Sequence, residues 1–210
     1  MKIALAQINP IVGDIDGNTA KIISIIKKTD AELVVFPELS ITGYSPQDLL
    51  LRHDFIEQNM NALSKIAKNT NKAAIVGFIE LLNGYLYNSA AFIRNQKVME
   101  IHHKVCLPNY AIFDEKRWFK EGTQPTTFEF NGKIIGLSIC EDIWFPETTK
   151  QQKAKGAELI INISASPYRK GKIEAIEDVL NQRWEENKVP IIMVNQVGGQ
   201  DGIVYYGHSI

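Results

Sequence analysis

Apolar runs of strand length recur along the chain, at Ile3–Ile8, Glu32–Phe36, Ala73–Ile79, Ser89–Arg94, Val98–His102, Lys133–Ile139, Glu158–Ile163 and Pro190–Val194. Helical patterns separate several of them. Phe55, Ile56, Met60, Leu63, Ile66 and Ala67 fall on one helical face, and so do Ile173, Ile176, Val179, Leu180 and Trp184. Asn18–Asp30 predicts a shorter helix after a turn-rich Gly13–Gly17. Pro146–Gly156 predicts another, with proline near its start and glycine at its end. Strand–helix–strand alternation at both ends of the chain argues for parallel pairing. The middle differs, because Leu86–Arg94 and Lys97–His103 flank Asn95-Gln96, a hairpin signal. The prediction is an α/β fold with one mixed sheet or two sheets. No repeat, linker or low-complexity segment divides residues 1–210, so a single domain is expected.

Composition narrows the classes without choosing among them. A hydrophobic content of 45% with 22% charged residues is ordinary for a soluble globular chain of 210 residues. The net charge of −1 gives no argument for nucleic acid or an anionic membrane surface. No apolar run is long enough to span a bilayer. A strand pattern opens at Lys2, so no signal peptide is expected. Two cysteines do not make a disulfide framework, and reduced thiols in the cytoplasm are the simpler expectation.

The chemistry gathers at three strand ends. Strand Glu32–Phe36 runs into Pro37-Glu38, strand Val98–His103 into Lys104, and strand Lys133–Ile139 into Cys140, behind which Pro146 opens a helix. Strand ends of this kind are where α/β folds assemble their sites. If the three strands run parallel in one sheet, a carboxylate, an ammonium and a thiol emerge at one edge. That set suits acyl transfer: a base for the thiol, a cation for the developing oxyanion, and a nucleophile. Each residue also has a plainer reading, as a helix-entry charge, a solvated strand end and a small core residue.

At these residues the sequence resembles a family. VVFPELSITGY around Glu38, HHKVCLPNYAIFDEKRWF around Lys104 and LSICEDIWFP around Cys140 are similar to the three signature segments of the nitrilase, or carbon–nitrogen hydrolase, superfamily. The opening IALAQINPIVGDIDGN, the SASPYRKGK segment and VNQVGGQD resemble one branch, the amino-terminal glutaminase domain of glutamine-dependent NAD synthetases. The resemblance implies an αββα sandwich and a triad in which Glu38 is the general base, Cys140 the nucleophile and Lys104 the stabiliser of the intermediate. It also implies that Tyr44, Tyr110, Glu115, Glu141, Trp144 and Ser166 surround a glutamine, with Glu115 a supporting carboxylate near Lys104. No metal and no organic cofactor enter such a mechanism. The expected reaction is hydrolysis of the glutamine side-chain amide to glutamate and ammonia. A free-standing ω-amidase or carbamoylase and an inactive remnant serving as a binding module are the alternatives.

Several other features receive structural readings. Cys106 is expected to pack and to be unreactive, whereas the elbow beside Lys104 is expected to favour a thiolate at Cys140. His102 and His103 point to opposite faces of a strand, with no further ligand at metal spacing. Gly198–Gly202 lacks the Lys-Ser/Thr of a phosphate loop and is read as a turn or bulge entering a strand. Trp118 and Trp184 are taken as interior or rim aromatics. The acidic residues usual in the family at Gly202 and near Tyr206 are missing. Family members continue with more strands and an ATP-using synthetase domain, so the fold is expected to be incomplete at its C-terminus: either a truncated or separately expressed product, for which a synthetase domain in trans is one partner to consider, or a fold finished by a partner. The final IVYYGHSI is expected to be an unpaired strand and hence to promote homo-oligomers.

Overall fold

Three tight turns set the order of the strands in the computed structural model, which describes residues 1–210. Asn83-Gly84, Asn95-Gln96 and Asn131-Gly132 each hold two successive residues at positive φ, 52° and 79°, 52° and 62°, and 50° and 74°. This backbone matches strand twist and closes two-residue hairpins. Only the middle one is anticipated above. The first lengthens its strand to Leu82, and the third joins the predicted Lys133–Ile139 strand to an additional strand, Thr126–Phe130.

The strands form two main sheets. In the first, β1 (Ile3–Leu5), β2 (Leu33–Val35) and β3 (Ala73–Leu82) are parallel, and β4 (Tyr85–Arg94) and β5 (Lys97–His103) follow by antiparallel hairpins. Two reversals restore direction, so β5 runs with β2. In the second sheet, β6 (Thr126–Phe130) is antiparallel to β7 (Lys133–Ile139), while β8 (Leu159–Ser164) and β9 (Ile191–Asn195) continue in parallel. The parallel pairs are joined through helices, as crossover connections require. The strands that end at Glu38, Lys104 and Cys140 therefore do not share one sheet. The first two belong to the first sheet and the third to the second.

Side-chain alternation builds the layers. On β3, Ala74, Val76 and Phe78 face α1 (Ile15–Lys28) and α2 (His53–Lys68), which cover the first sheet with Ile22, Ile26, Phe55, Leu63 and Ile66. Ala73 and Ile75 face the other way, into a core shared with Leu137, Ile139, Ile161 and Ile163 of the second sheet. Phe92 on β4 stacks on Phe128 of β6 across that layer, with ring centroids 4.0 Å apart. On the far side, α5 (Lys172–Asn187) lays Ile176 and Leu180 on Ile160 and Met193. Helix α4 (Pro146–Ala154) packs beside it. The result is helix, sheet, sheet, helix: the αββα sandwich.

Local chemistry fixes the helix ends. Helix α1 starts at Ile15, three residues before the predicted start, because the Asp14 side chain accepts the Gly17 N–H at 3.0 Å and caps it. Helix α4 opens on Pro146, and Gly156 follows it at φ 87°.

The C-terminal expectation requires correction. Val197–Gln200 is itself a strand, β10, and pairs antiparallel with β11 (Ile203–Tyr206) across Asp201-Gly202. Gly198–Gly202 is thus strand and turn together, and β11 has a partner. Tyr205 is buried and donates its hydroxyl to the Tyr44 carbonyl at 2.8 Å. Ile210 exchanges two backbone hydrogen bonds with Met193, of 2.6 and 3.0 Å, on the open side of β9. No helix is long and apolar enough to cross a membrane.

Candidate functional site

Glu38 leaves β2 on a backbone pressed against β3. At Gly77, a Cβ atom would lie 2.4 Å from the Leu39 nitrogen and 2.5 Å from the Pro37 oxygen, so only glycine permits the approach. The Gly77 carbonyl accepts the Ile41 N–H, and Leu39 turns at φ 45°. The carboxylate so placed is fully buried and well satisfied. Its Oε1 accepts from Lys104 Nζ and from Asn88 Nδ2, each at 2.7 Å, and its Oε2 accepts the Ala165 N–H at 2.9 Å. Ala165 follows β8, so Glu38 bridges the two sheets.

Lys104 follows β5, which Asn88 anchors by accepting the Lys104 N–H on its carbonyl at 2.9 Å. The ammonium also reaches Glu115 Oε1 at 2.8 Å, and Tyr44 donates its hydroxyl to that same oxygen at 2.6 Å. Glu115 is the first residue of α3 (Glu115–Trp118). Burial alone would lower the Lys104 ammonium, but Glu115 and Glu38 outweigh it and hold the group well above the usual lysine range. Burial raises the Glu115 carboxyl to about 7, against the pull of Lys104, and Glu38 adds to the rise. The other oxygen of Glu115, Oε2, is buried without a protein partner.

Cys140 follows β7 at φ 45° and opens a tight 3₁₀ turn, Cys140–Trp144. A non-glycine residue in the left-handed region is a strained position, of the kind found where a side chain must be presented outward from a sheet. Asn162 supports the turn from β8, donating to Ser138 Oγ at 3.0 Å and to the Cys140 carbonyl at 3.4 Å. Burial first, and then the Glu38 charge, push the thiol well above its usual value, with Lys104 pulling the other way. The expectation that the elbow favours a thiolate at Cys140 is therefore corrected: burial and the Glu38 charge favour the neutral thiol. Cys106 is half-buried and is pushed up to about 12 by burial, Asp142 and Glu141.

Five of the six remaining predicted residues fall into two groups. Tyr44 and Glu115 lie behind Lys104, linked to each other. Glu141, Tyr110 and Trp144 form a rim. Tyr110 sets its hydroxyl 2.9 and 3.0 Å from the two oxygens of Glu141, which is itself buried. Trp144 carries Lys172 Nζ over its ring at 3.9 Å. Ser166 is buried, held by Asn195, whose Oδ1 accepts its N–H at 2.8 Å. Tyr110, Phe113, Pro167, Tyr168, Arg169 and Lys172 contribute to a recess of about 190 Å³. Trp118 packs partly buried against the first core, and Trp184 is exposed.

Sequence reasoning missed Asn88, Lys172 and Asp142. Lys172 lies in the SASPYRKGK segment and begins α5, where its charge was visible but its position was not. Asn88 sits mid-strand, with no local mark of its role. His102 is buried with Nε2 2.9 Å from Asp142, and His103 turns to the other face, stacked on Tyr87 and bonded to Glu80. No cluster of three or more His, Cys, Asp or Glu is placed to hold a metal ion.

Residues 2–210 match the carbon–nitrogen hydrolase family. The glutamine-dependent NAD(+) synthetase of Aquifex aeolicus is 41% identical over 215 residues, covering 100% of this chain but 38% of that protein. That of Acinetobacter baylyi is 38% identical over 99% of the chain and 39% of its own length. The chain thus spans about two fifths of the curated relatives it matches. Among solved structures, the glutamine-dependent NAD+ synthetase of Acinetobacter baumannii in complex with ADP superposes with a TM-score of 0.95 at 39% identity, over 99% of this chain and 40% of that one. A Nesterenkonia amidase from the nitrilase superfamily gives 0.89 at 25% identity, over 100% and 81%. Another structure of that amidase carries the acetamide moiety of fluoroacetamide on its active-site cysteine. The two-sheet sandwich and the three strand-end segments thus have one common source: this chain belongs to the carbon–nitrogen hydrolase family.

Proposed function

We propose that the chain hydrolyses the side-chain amide of glutamine to glutamate and ammonia through a thioester on Cys140. The observation that carries this reading is the buried contact between Glu38 and Lys104, a base and a fixed cation whose charges both act on the Cys140 thiol. In the first half-reaction Glu38 takes the thiol proton as sulfur attacks the amide carbon, since the thiolate is the nucleophile. The Lys104 ammonium stabilises the oxyanion. As the C–N bond breaks, Glu38 returns the proton to the leaving nitrogen, and ammonia departs. In the second half-reaction Glu38 takes a proton from water as its oxygen attacks the thioester carbonyl; the C–S bond then breaks, glutamate leaves, and Glu38 returns the proton to sulfur, restoring the thiol. Glu115 holds Lys104 from behind.

Two charges near the thiol favour an amino-acid substrate. Glu141 and Lys172, opposite in sign, match an α-amino group and an α-carboxylate, while the amide points inward. Their electrostatic neighbours include one another and Cys140. Tyr110, bonded to Glu141, supplies a polar contact beside them. The NAD synthetase relatives support a role as the ammonia-supplying part of glutamine-dependent NAD synthesis, with the synthetase unit as partner. A second reading, a free-standing amidase, draws on the Nesterenkonia neighbour, most of whose length is covered. Ammonia release from glutamine, asparagine, simple aliphatic amides and carbamoyl compounds decides: glutamine should be preferred, and equal rates on acetamide or propionamide would favour the amidase.

A further inference from the structure

We propose that Asp142 is a positioning residue whose carboxylate locks the turn presenting Cys140 to the strand end carrying Lys104, an inference that rests on the amidase reading of those two residues. Asp142 is fully buried and accepts four N–H donors. Oδ1 takes those of Val105 and Cys106, at 2.9 and 2.8 Å. Oδ2 takes that of Ile139 at 2.9 Å and faces His102 Nε2 at 2.9 Å.

The origin of these donors gives the arrangement its meaning. Ile139 immediately precedes Cys140 in β7 of the second sheet. His102 lies in β5 of the first sheet, two residues before Lys104, and Val105 and Cys106 are the two residues after it. A single carboxylate thus brackets Lys104 on both sides and ties it to the residue before Cys140. It does so across the gap between two sheets, where the other polar tie to Lys104 runs through Glu38 to Ala165 and does not touch the Cys140 turn.

An ionised carboxylate suits this task because it only accepts. An asparagine must turn an NH₂ toward one pair of donors. If its oxygen faces Val105 and Cys106, the Ile139 N–H loses its acceptor, and that is the bond next to Cys140. A buried donor left unpaired is costly and is relieved by movement of the turn. A misplacement of about 1 Å at a reacting centre costs about 10²-fold in rate.

The test uses the full 210-residue chain and iodoacetamide, with alkylation of Cys140 followed by mass spectrometry well below each variant's melting midpoint. This reports the placement of sulfur without requiring turnover of any substrate. Asp142→Asn should slow alkylation of Cys140 by about 10- to 100-fold, and glutamine hydrolysis should fall in kcat with KM little changed. His102→Ala, which removes one donor from Oδ2, should slow alkylation less. His102→Gln, whose amide donates in place of the imidazole, should recover most of it. Alkylation of folded Asp142→Asn within twofold of the parent overturns the proposal, because a purely structural residue lowers the melting midpoint and leaves the folded site intact. If Asp142→Asn does not fold, the His102 pair decides, and equal rates for His102→Ala and the parent overturn it. A parent protein alkylated at Cys140 but inert toward glutamine refutes the substrate reading alone, and the alkylation series still measures the positioning.

Discussion

Lys104 and Glu38 meet at 2.7 Å with neither side chain in contact with water. A strand-end location suggests cheap substitutions, but a buried ion pair behaves otherwise. Removing one partner leaves an uncompensated charge in the interior, at a cost of about 3–5 kcal/mol. Lys104→Ala strands Glu38 beside Glu115 and should lower the melting midpoint markedly. Glu38→Gln keeps the shape and can keep its oxygen on Lys104 and Asn88, with the Ala165 N–H left without its acceptor, and should still fold while losing about 10²–10⁴ in turnover. Thermal melts beside steady-state ammonia release check both. A Glu38→Gln protein with near-parental turnover would remove Glu38 from the mechanism.

Cys140→Ala should abolish amide hydrolysis, and Cys106→Ala should retain most of it. At neutral pH iodoacetamide should label Cys140 first, by virtue of the base beside it. That labelling should slow in Glu38→Gln, because burial disfavours a free thiolate. Tryptic mapping of the labelled cysteine gives the answer, and labelling of Cys106 first would reverse the assignment.

The Glu115 carboxyl titrates at about 7 in the folded protein, against an ordinary 4.5. Between those values the folded state holds a proton that the unfolded chain has released. The contribution of Glu115 to stability is therefore complete below about pH 4.5 and is lost as pH rises through about 7. Urea midpoints for the parent and Glu115→Gln, compared from pH 4.5 to 7.5, should show the parent losing ground as pH rises. Parallel curves would contradict this.

Gly77→Ala should disable the site from a distance. The added methyl would sit within 2.5 Å of the backbone on either side of Glu38, and overpacking against backbone costs about 1–3 kcal/mol. A loss of both stability and ammonia release is expected. A crystal structure of an active Gly77→Ala protein with Glu38 unmoved would refute it.

Much of this architecture is written locally. The ends at Glu38, Lys104 and Cys140 are legible because each apolar run breaks at a charged or polar residue. The helices are legible from the spacing of Phe55 to Ala67 and of Ile173 to Trp184. The Asn83-Gly84 and Asn131-Gly132 turns carry an equally local hairpin signal, and the second marks the strand that precedes Lys133. Sheet membership is another matter. Alternation on β7 reads the same whichever sheet receives it, so the division of the site between two sheets had no local signature. The fourfold role of Asp142 depends on backbone donors remote in the sequence. The state of the Cys140 thiol follows from burial, which no motif encodes.

The stacking of Phe92 on Phe128 joins the sheet that carries Glu38 and Lys104 to the sheet that carries Cys140. Hydrocarbon packing between the layers thus shares with the polar ties of Glu38 and Asp142 the task of fixing how far apart those three side chains stand. Under the proposed mechanism, a methyl group added or removed in that layer, far from any polar atom of the site, would alter how base and thiol meet. Residues that never touch substrate would then belong among the determinants of turnover.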